Sequence, residues 1–411
     1  MRPVGRIERL AALVLPPPEA EPVPAPRPPR RAFAKAALGV LMIPVSAVSR
    51  FFLRLAGRGA PPDPTLMRRV AFVKLDHLGD LVMATPLIRA VKEWAPQARL
   101  TLVTRPANLG MAERLWYVDE IAEADVPWIR PEPGWRENLG ACLRLARELK
   151  DGGYDLVIDL RYHNRLDSLL LSLCGAPARL GFDAGGFGFG ITHCARWPRE
   201  GHEVDRGVRA LEEFGVPVRD RRPEFPLAAE ELKKGKRTAG RNLVAIHPGA
   251  GNTVKRWMPE RFAWVARELA RRAGVRVAVL GGPGEEALGE PIVRALPRAR
   301  VLDLRGRLRL PEMAAVLANC SLFIGNDGGA GHVAAATGAP ALIVFSGTST
   351  AAEWAPRGTN VRVIEKTVPC KPCHRADCPY NQACLRAAGV EEVLAAALAM
   401  LGGRRTRKTG R

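Results

Sequence analysis

From Val70 onward the sequence alternates short β-rich apolar runs with amphipathic helical stretches, and it does so twice. In the first half VAFVKL (Val70–Leu75), RLTLVT (Arg99–Thr104) and YDLVIDL (Tyr154–Leu160) have the near-continuous apolar texture of strands buried on both faces. Between the first two, Leu87, Ile88, Val91 and Trp94 fall at helical spacing within Pro86–Ala95, and Pro96 ends the run. The second half restarts with NLVAIH (Asn242–His247), a helix over Pro259–Ala273 and the strand VRVAVL (Val275–Leu280). A helix near Glu285, VLDL (Val301–Leu304), a helix over Pro311–Ala318, SLFIG (Ser321–Gly325), a short helix after Gly329 and ALIVF (Ala341–Phe345) follow. Parallel strands need long crossovers, and helices supply them, so the pattern predicts an α/β fold with parallel sheets covered on both faces. The polar segment Ala228–Arg241 separates the two runs. The expected organisation is an N-terminal extension (1–65), two Rossmann-like domains (66–230 and 231–401) facing a central cleft, and a basic tail (402–411).

Parallel α/β domains bind ligands at the carboxyl ends of their strands, which singles out the loops that leave them. KLDHLGD (Lys74–Asp80) follows the first strand and lacks both a dinucleotide glycine signature and a P-loop. It offers Asp80, a carboxylate suited either to general-base work on a hydroxyl or to capping the helix that follows. In HPGAGNTVKRWMPERF (His247–Phe262), Gly249 and Gly251 let backbone approach a ligand and Lys255 can reach a phosphate, while Trp257 and Phe262 read as core. GNDGGAGH (Gly325–His332) is a strand-to-helix turn whose exposed N–H groups near Gly329 suit an anion. GGPGEE (Gly281–Glu286) brings a carboxylate for ribose hydroxyls. Three phosphate-suited loops on one domain point to a nucleotide diphosphate. DLRYHNR (Asp159–Arg165) in the first half carries Arg161, His163 and Arg165, suited to an anionic sugar or to simple solvation.

These motifs, in order and spacing over roughly Met67–Leu401, resemble glycosyltransferase family 9, the ADP-heptose:lipopolysaccharide heptosyltransferases. The resemblance implies a GT-B fold and inverting transfer of heptose from ADP-heptose to a lipid-linked anionic glycan of the lipopolysaccharide core; no acidic metal cage is evident in the sequence, so no obligatory divalent cation is expected. It implies Asp80 as catalytic base and Lys255, Glu285, Asp327 and His332 on the donor, with Glu286 the alternative register for Glu285; the turns at Gly249 and Gly329 complete the expected donor set. Arg161, His163 and Arg165 are the acceptor candidates. Gly328 stands where the family usually has Ser or Thr, and FSGTST (Phe345–Thr350) departs from its F-G-x-T-x-P loop. That departure keeps a different nucleotide sugar in play as donor. A non-catalytic membrane-associated relative is the other alternative, and the joint presence of Asp80, Lys255, Asp327 and His332 speaks against it.

Cys370, Cys373, Cys378 and Cys384 are spaced C-x2-C-x4-C-x5-C. Four such thiols suit a structural zinc, and an iron–sulfur cluster or two local disulfides would use the same residues. Cys142, Cys174, Cys194 and Cys320 are scattered, unlike a secreted disulfide framework. No cofactor is implied for catalysis.

The formal charge of +20 is concentrated at the ends. It suits an anionic partner, and without a recognised motif it is no case for nucleic acid. A proline-rich stretch (14–30) precedes Ala36–Ser49, which has no charged residue and is too short to span a bilayer. Flanked by Arg30, Arg31 and Lys35 before and Arg50, Arg54 and Arg58 after, it is expected to lie on an anionic leaflet or to pack on the protein's own core. The expected location is the cytoplasm, at the inner face of the cytoplasmic membrane.

Overall fold

A computed structural model describes residues 44–49, 51–53, 62–129, 134–161, 165–184, 186–198 and 200–408, with side chains to 402. The proline-rich stretch, most of the basic-flanked apolar segment, His163 and the side chains beyond residue 402 lie outside this description. The chain divides into two compact units, 27–223 and 224–411.

Each unit holds a six-stranded, all-parallel sheet, in the orders β3-β2-β1-β4-β5-β6 and β12-β11-β10-β7-β8-β9. In the first unit these are β1 (Arg69–Lys74), β2 (Arg99–Thr104), β3 (Glu120–Glu123), β4 (Leu156–Asp159), β5 (Ala178–Phe182) and β6 (His193–Ala195). In the second they are β7 (Leu243–His247), β8 (Arg276–Val279), β9 (Val301–Asp303), β10 (Leu322–Asn326), β11 (Ala341–Phe345) and β12 (Val361–Glu365). Both orders are the doubly wound one, in which the chain reverses direction across the sheet beside its first strand. A crevice opens at that reversal, between β1 and β4 in one unit and between β7 and β10 in the other.

Helix α1 (Leu78–Trp94) follows β1 and begins eight residues before the expected start at Pro86. Pro86 sits inside it because the carbonyl its missing N–H would leave unmatched, that of Val82, accepts the Thr85 hydroxyl at 2.8 Å. Helices α2 (Trp135–Asp151) and α3 (Arg165–Leu173) cover the sheet face bearing Ala71, Val73 and Val157. Helix α4 (Glu203–Phe214) packs against α1, and it approaches closely where Gly207 meets Leu87: a Cβ there would lie 2.4 Å from the leucine side chain.

The second unit adds α5 (Ala229–Ala239), α6 (Pro259–Ala273), α7 (Glu286–Arg294), α8 (Leu310–Asn319), α9 (Gly329–Ala336) and α10 (Val390–Lys408). Trp257 and Phe262 are fully buried and meet edge to face, with ring centroids 4.9 Å apart, as the reading of both as core requires. Among the described residues no helix is long and apolar enough to cross a membrane.

Candidate active site

In the 224–411 unit three of the expected loops meet at the reversal between β7 and β10. Lys255 and Asp327 form a short ion pair, Nζ to Oδ2 at 2.7 Å. Burial raises the Asp327 carboxyl above its ordinary value, and the Lys255 ammonium counters that. Asn326, the last residue of β10, ties the two loops together. Its side-chain N–H donates to the Pro248 carbonyl at 2.8 Å, and its carbonyl oxygen accepts the Trp257 N–H at 2.9 Å. Gly328 is the extended cap of α9, so the amide groups from Gly329 onward open this helix, and His332 is buried one turn inside it.

Glu285 reaches the same loop. It lies 3.3 Å from His247 Nε2 and accepts the Gly282 N–H at 2.9 Å. Its contact with His247, then the bond from Gly282, hold the carboxyl down at about 2. A Cβ at Gly249 would stand 2.1 Å from Glu285 Oε1, so the absence of a side chain there leaves the carboxylate its place beside His247. Glu286 turns instead to the Gly284 N–H at 3.2 Å, so of the two registers only Glu285 faces Gly249. All six donor candidates therefore lie in this unit, on β7, β8 and β10 loops and the start of α9.

The 27–223 unit gathers charge at its own reversal, between β1 and β4. Asp80 stands in the first turn of α1 and accepts the His77 N–H at 3.2 Å, so one oxygen caps the helix. The carboxyl also lines a pocket of about 320 Å³ with Phe72, Lys74, Leu160 and Glu203. Capping and a role in the pocket are thus compatible. Burial, then the nearby Asp76 charge, push the Asp80 carboxyl up, with Lys74 acting against them. Lys74 pairs with Asp76 at 2.8 Å. Arg161 lies between Asp76 (2.6 Å) and Asp167 (3.4 Å). Burial likewise raises Asp167 to about 6, Glu203 to about 7 and Asp159 well above its usual range.

Arg161 is thus part of an internal charge network, while the Arg165 guanidinium lies 5.6 Å from the Phe187 ring centre. Sequence reasoning did not single out Lys74, Asp76 or Glu203. A lysine at the end of an otherwise apolar buried strand was the available signal, because an uncompensated charge there is costly.

Cys370, Cys373, Cys378 and Cys384 line one pocket of about 390 Å³ with Gly347 and Thr348. All four are free. Cys384 Sγ accepts the Gly347 N–H at 3.2 Å and Cys378 Sγ accepts the Gln382 N–H at 3.3 Å. Backbone bonds from Cys373 to Gly347 and from His374 to Thr348 pin the segment onto the FSGTST loop. The donor chemistry is soft and suits zinc, although among the described residues no three His, Cys, Asp or Glu side chains are drawn together as a metal cage. Elsewhere Cys142, Cys174 and Cys320 are buried, and Cys194 is partly so.

Comparison with known proteins follows the same lines. Lipopolysaccharide heptosyltransferase 1 of Pseudomonas aeruginosa is 29% identical over 333 residues, covering 76% of this chain and 88% of that protein. Lipopolysaccharide heptosyltransferase 3 of Escherichia coli K12 is 26% identical over 283 residues, covering 66% and 80%. The solved structure of E. coli ADP-heptose lipopolysaccharide heptosyltransferase II shares the fold, with a TM-score of 0.65 at 19% identity over 82% of this chain and 99% of that one. The family model of glycosyltransferase family 9 (heptosyltransferase) matches residues 142–384, more than half of the sequence, and the chain belongs to that family.

Proposed function

We propose that this glycosyltransferase moves heptose from ADP-heptose to an acceptor of the lipopolysaccharide core, with inversion and without a catalytic metal ion. The relatives named as lipopolysaccharide heptosyltransferases support the sugar and the acceptor class. The observation that carries the donor half is the Lys255–Asp327 pair set beside the start of α9 and the Glu285–His247 contact. A diphosphate meets Lys255 and the amide groups of α9, whose dipole also favours an anion. Glu285 takes the ribose hydroxyls, and Asp327 and His332 orient the sugar end. Asp80 takes the proton of the acceptor hydroxyl as its oxygen attacks the anomeric carbon and ADP departs. A carboxyl pushed above its ordinary value is a better base for a hydroxyl than an unperturbed one. Arg165 meets an anionic acceptor directly, together with His163, and Arg161 acts through the network that sets the pocket's charge.

One observation favours a second reading of the donor. FSGTST departs from the family's F-G-x-T-x-P loop, which leaves another nucleotide sugar as that reading, and a buried Ser346–Thr348 hydroxyl contact of 2.7 Å and the cysteine segment hold the loop in place. That segment is proposed as a structural brace, with zinc as the ion its four thiols would take, and it supplies no step of the reaction. The acceptor is lipid-linked in this reading, and the enzyme works at the cytoplasmic membrane face. ADP release from ADP-heptose and deacylated core oligosaccharide, with wild type against Asp80→Ala, tests the proposal. Loss of turnover with donor binding retained supports it. Unchanged release removes Asp80 from the chemistry, and absence of donor binding in both proteins overturns ADP-heptose as donor.

A further inference from the structure

The exposed apolar side chains of this protein are concentrated in one unit. Among the described residues every exposed large hydrophobic except Leu232 belongs to 27–223. Two groups of them are ordered along helices. On α2, Trp135 (70% exposed), Leu139 and Leu143 recur every four residues and form one outward stripe, while Cys142, Leu145, Ala146 and Leu149 fill the core. At about 100° per residue, Lys150, Arg136 and Arg147 fall beside that stripe, and Glu137 and Glu148 fall on the far side of them. The Arg136 guanidinium lies 5.2 Å from the Trp135 ring centre.

The helical residues 44–49 and 51–53 are inverted relative to a core helix. Ser46 is buried and donates to Asp183 at 2.8 Å, and Ser49 donates to the Phe189 carbonyl at 2.6 Å. Val45, Val48, Phe51 and Phe52 face outward, each more than half exposed. The segment they dock on continues the layer of α2 and α3, since Ser172 of α3 donates to the Phe187 carbonyl and accepts the Gly190 N–H. This layer therefore presents aromatic and aliphatic groups at two places, with cations beside the α2 stripe and acids turned away from it.

We propose that this layer of the 27–223 unit rests on an anionic lipid bilayer. Trp135, Leu139, Leu143, Phe51 and Phe52 enter the boundary between headgroups and acyl chains, and Arg136, Arg147 and Lys150 meet lipid phosphates. The segregation of charge on α2 is what selects a lipid surface: a tryptophan at one end and cations along the stripe match an interface that is apolar below and anionic above. The proposal deepens the reading of a lipid-linked acceptor and rests on it only for its purpose.

Flotation of the purified full chain with phosphatidylcholine vesicles, with and without phosphatidylglycerol, tests it. Binding to the anionic vesicles that weakens with added salt is expected. Leu139→Asp/Leu143→Asp and, separately, Phe51→Ser/Phe52→Ser should each weaken it by about tenfold or more. Arg136→Glu/Arg147→Glu should remove the preference for anionic vesicles. All six positions are exposed or on the outer face, and turnover of a soluble acceptor should be unchanged in each variant. Wild type that ignores both vesicle types, or variants that bind as wild type does, overturn the proposal. So does a wild-type dimer that these variants convert to monomer, which makes a second copy the occupant. Vesicle binding by a protein that releases no ADP sinks the transferase reading alone.

Discussion

Lys255 Nζ and Asp327 Oδ2 lie 2.7 Å apart although 72 positions separate them in the chain. One residue comes from the loop after β7 and the other from the end of β10, strands that are hydrogen-bonded neighbours. The pair sets a lysine at the crevice and neutralises a carboxylate that is almost fully buried.

Lys255→Met should therefore do two things. Donor affinity, read by calorimetry with ADP, should fall by about a hundredfold for the loss of a charge-assisted contact to phosphate. Stability should fall by about 1–3 kcal/mol, because Asp327 loses its partner. Adding Asp327→Asn should restore most of the stability and none of the affinity. If the double variant is as unstable as the single one, the pair is not what holds the loops.

Gly249→Ala is a test of the Glu285 geometry. The added methyl displaces the Glu285 carboxylate from His247, since the space between them is already filled. ADP affinity should drop by about tenfold with a melting temperature close to wild type, because the displaced side chain is partly exposed and finds water. Retained affinity would exclude Glu285 from the donor site.

Asp80→Asn should lower kcat by a factor of about 100 to 10,000 while leaving ADP affinity intact. In wild type, kcat/KM should rise with pH through the Asp80 titration, because the base must be deprotonated. Burial places that limb above the ordinary carboxylate range. A limb at the ordinary value would separate Asp80 from the chemistry.

Glu203 makes a prediction about stability. Its carboxyl is raised from 4.5 to about 7 by burial, with the Asp80 and Asp76 charges adding and Lys74 and Arg206 opposing. Between these two values the folded state binds more protons than the unfolded one, so stability falls as pH rises through the window. Glu203→Gln should then match wild type near pH 4.5 and exceed it above pH 7, by at most about 3 kcal/mol. Thermal melts at the two pH values decide this, and a variant that is less stable at both would show that the carboxylate is held by its neighbours.

Metal analysis of the purified protein tests the cysteine segment. About one zinc per chain is expected, and its removal by a chelator should lower the melting temperature and weaken donor binding through the FSGTST loop. Metal-free protein with unchanged melting and donor affinity would leave the four thiols a packing element.

The residues alone were enough for the class of fold and for most of the loops that meet between β7 and β10. Buried parallel strands are nearly continuous apolar runs, so β2, β7 and β11 and helix α6 are visible in the residues alone. Glycines and the charged residues beside them mark the turns at strand ends, which exposed Lys255, Glu285, Asp327 and Gly329 as a set.

The edge strands β3, β6 and β12 did not show, since they carry three to five residues of mixed burial, whereas β9, no longer than they are, was marked by VLDL. Nor did the start of α1, because Pro86 reads as a helix beginning unless the Thr85 hydroxyl is known to take the Val82 carbonyl. Strand order, and with it which loops share a crevice, is a property of the folded chain alone. That order brought Lys74, Asp76, Asp80, Arg161, Asp167 and Glu203 together from three separate stretches of chain. Local periodicity fixes how a segment buries its own apolar face. Which charges then compensate one another depends on contacts between segments far apart in sequence, and no local pattern encodes those distances.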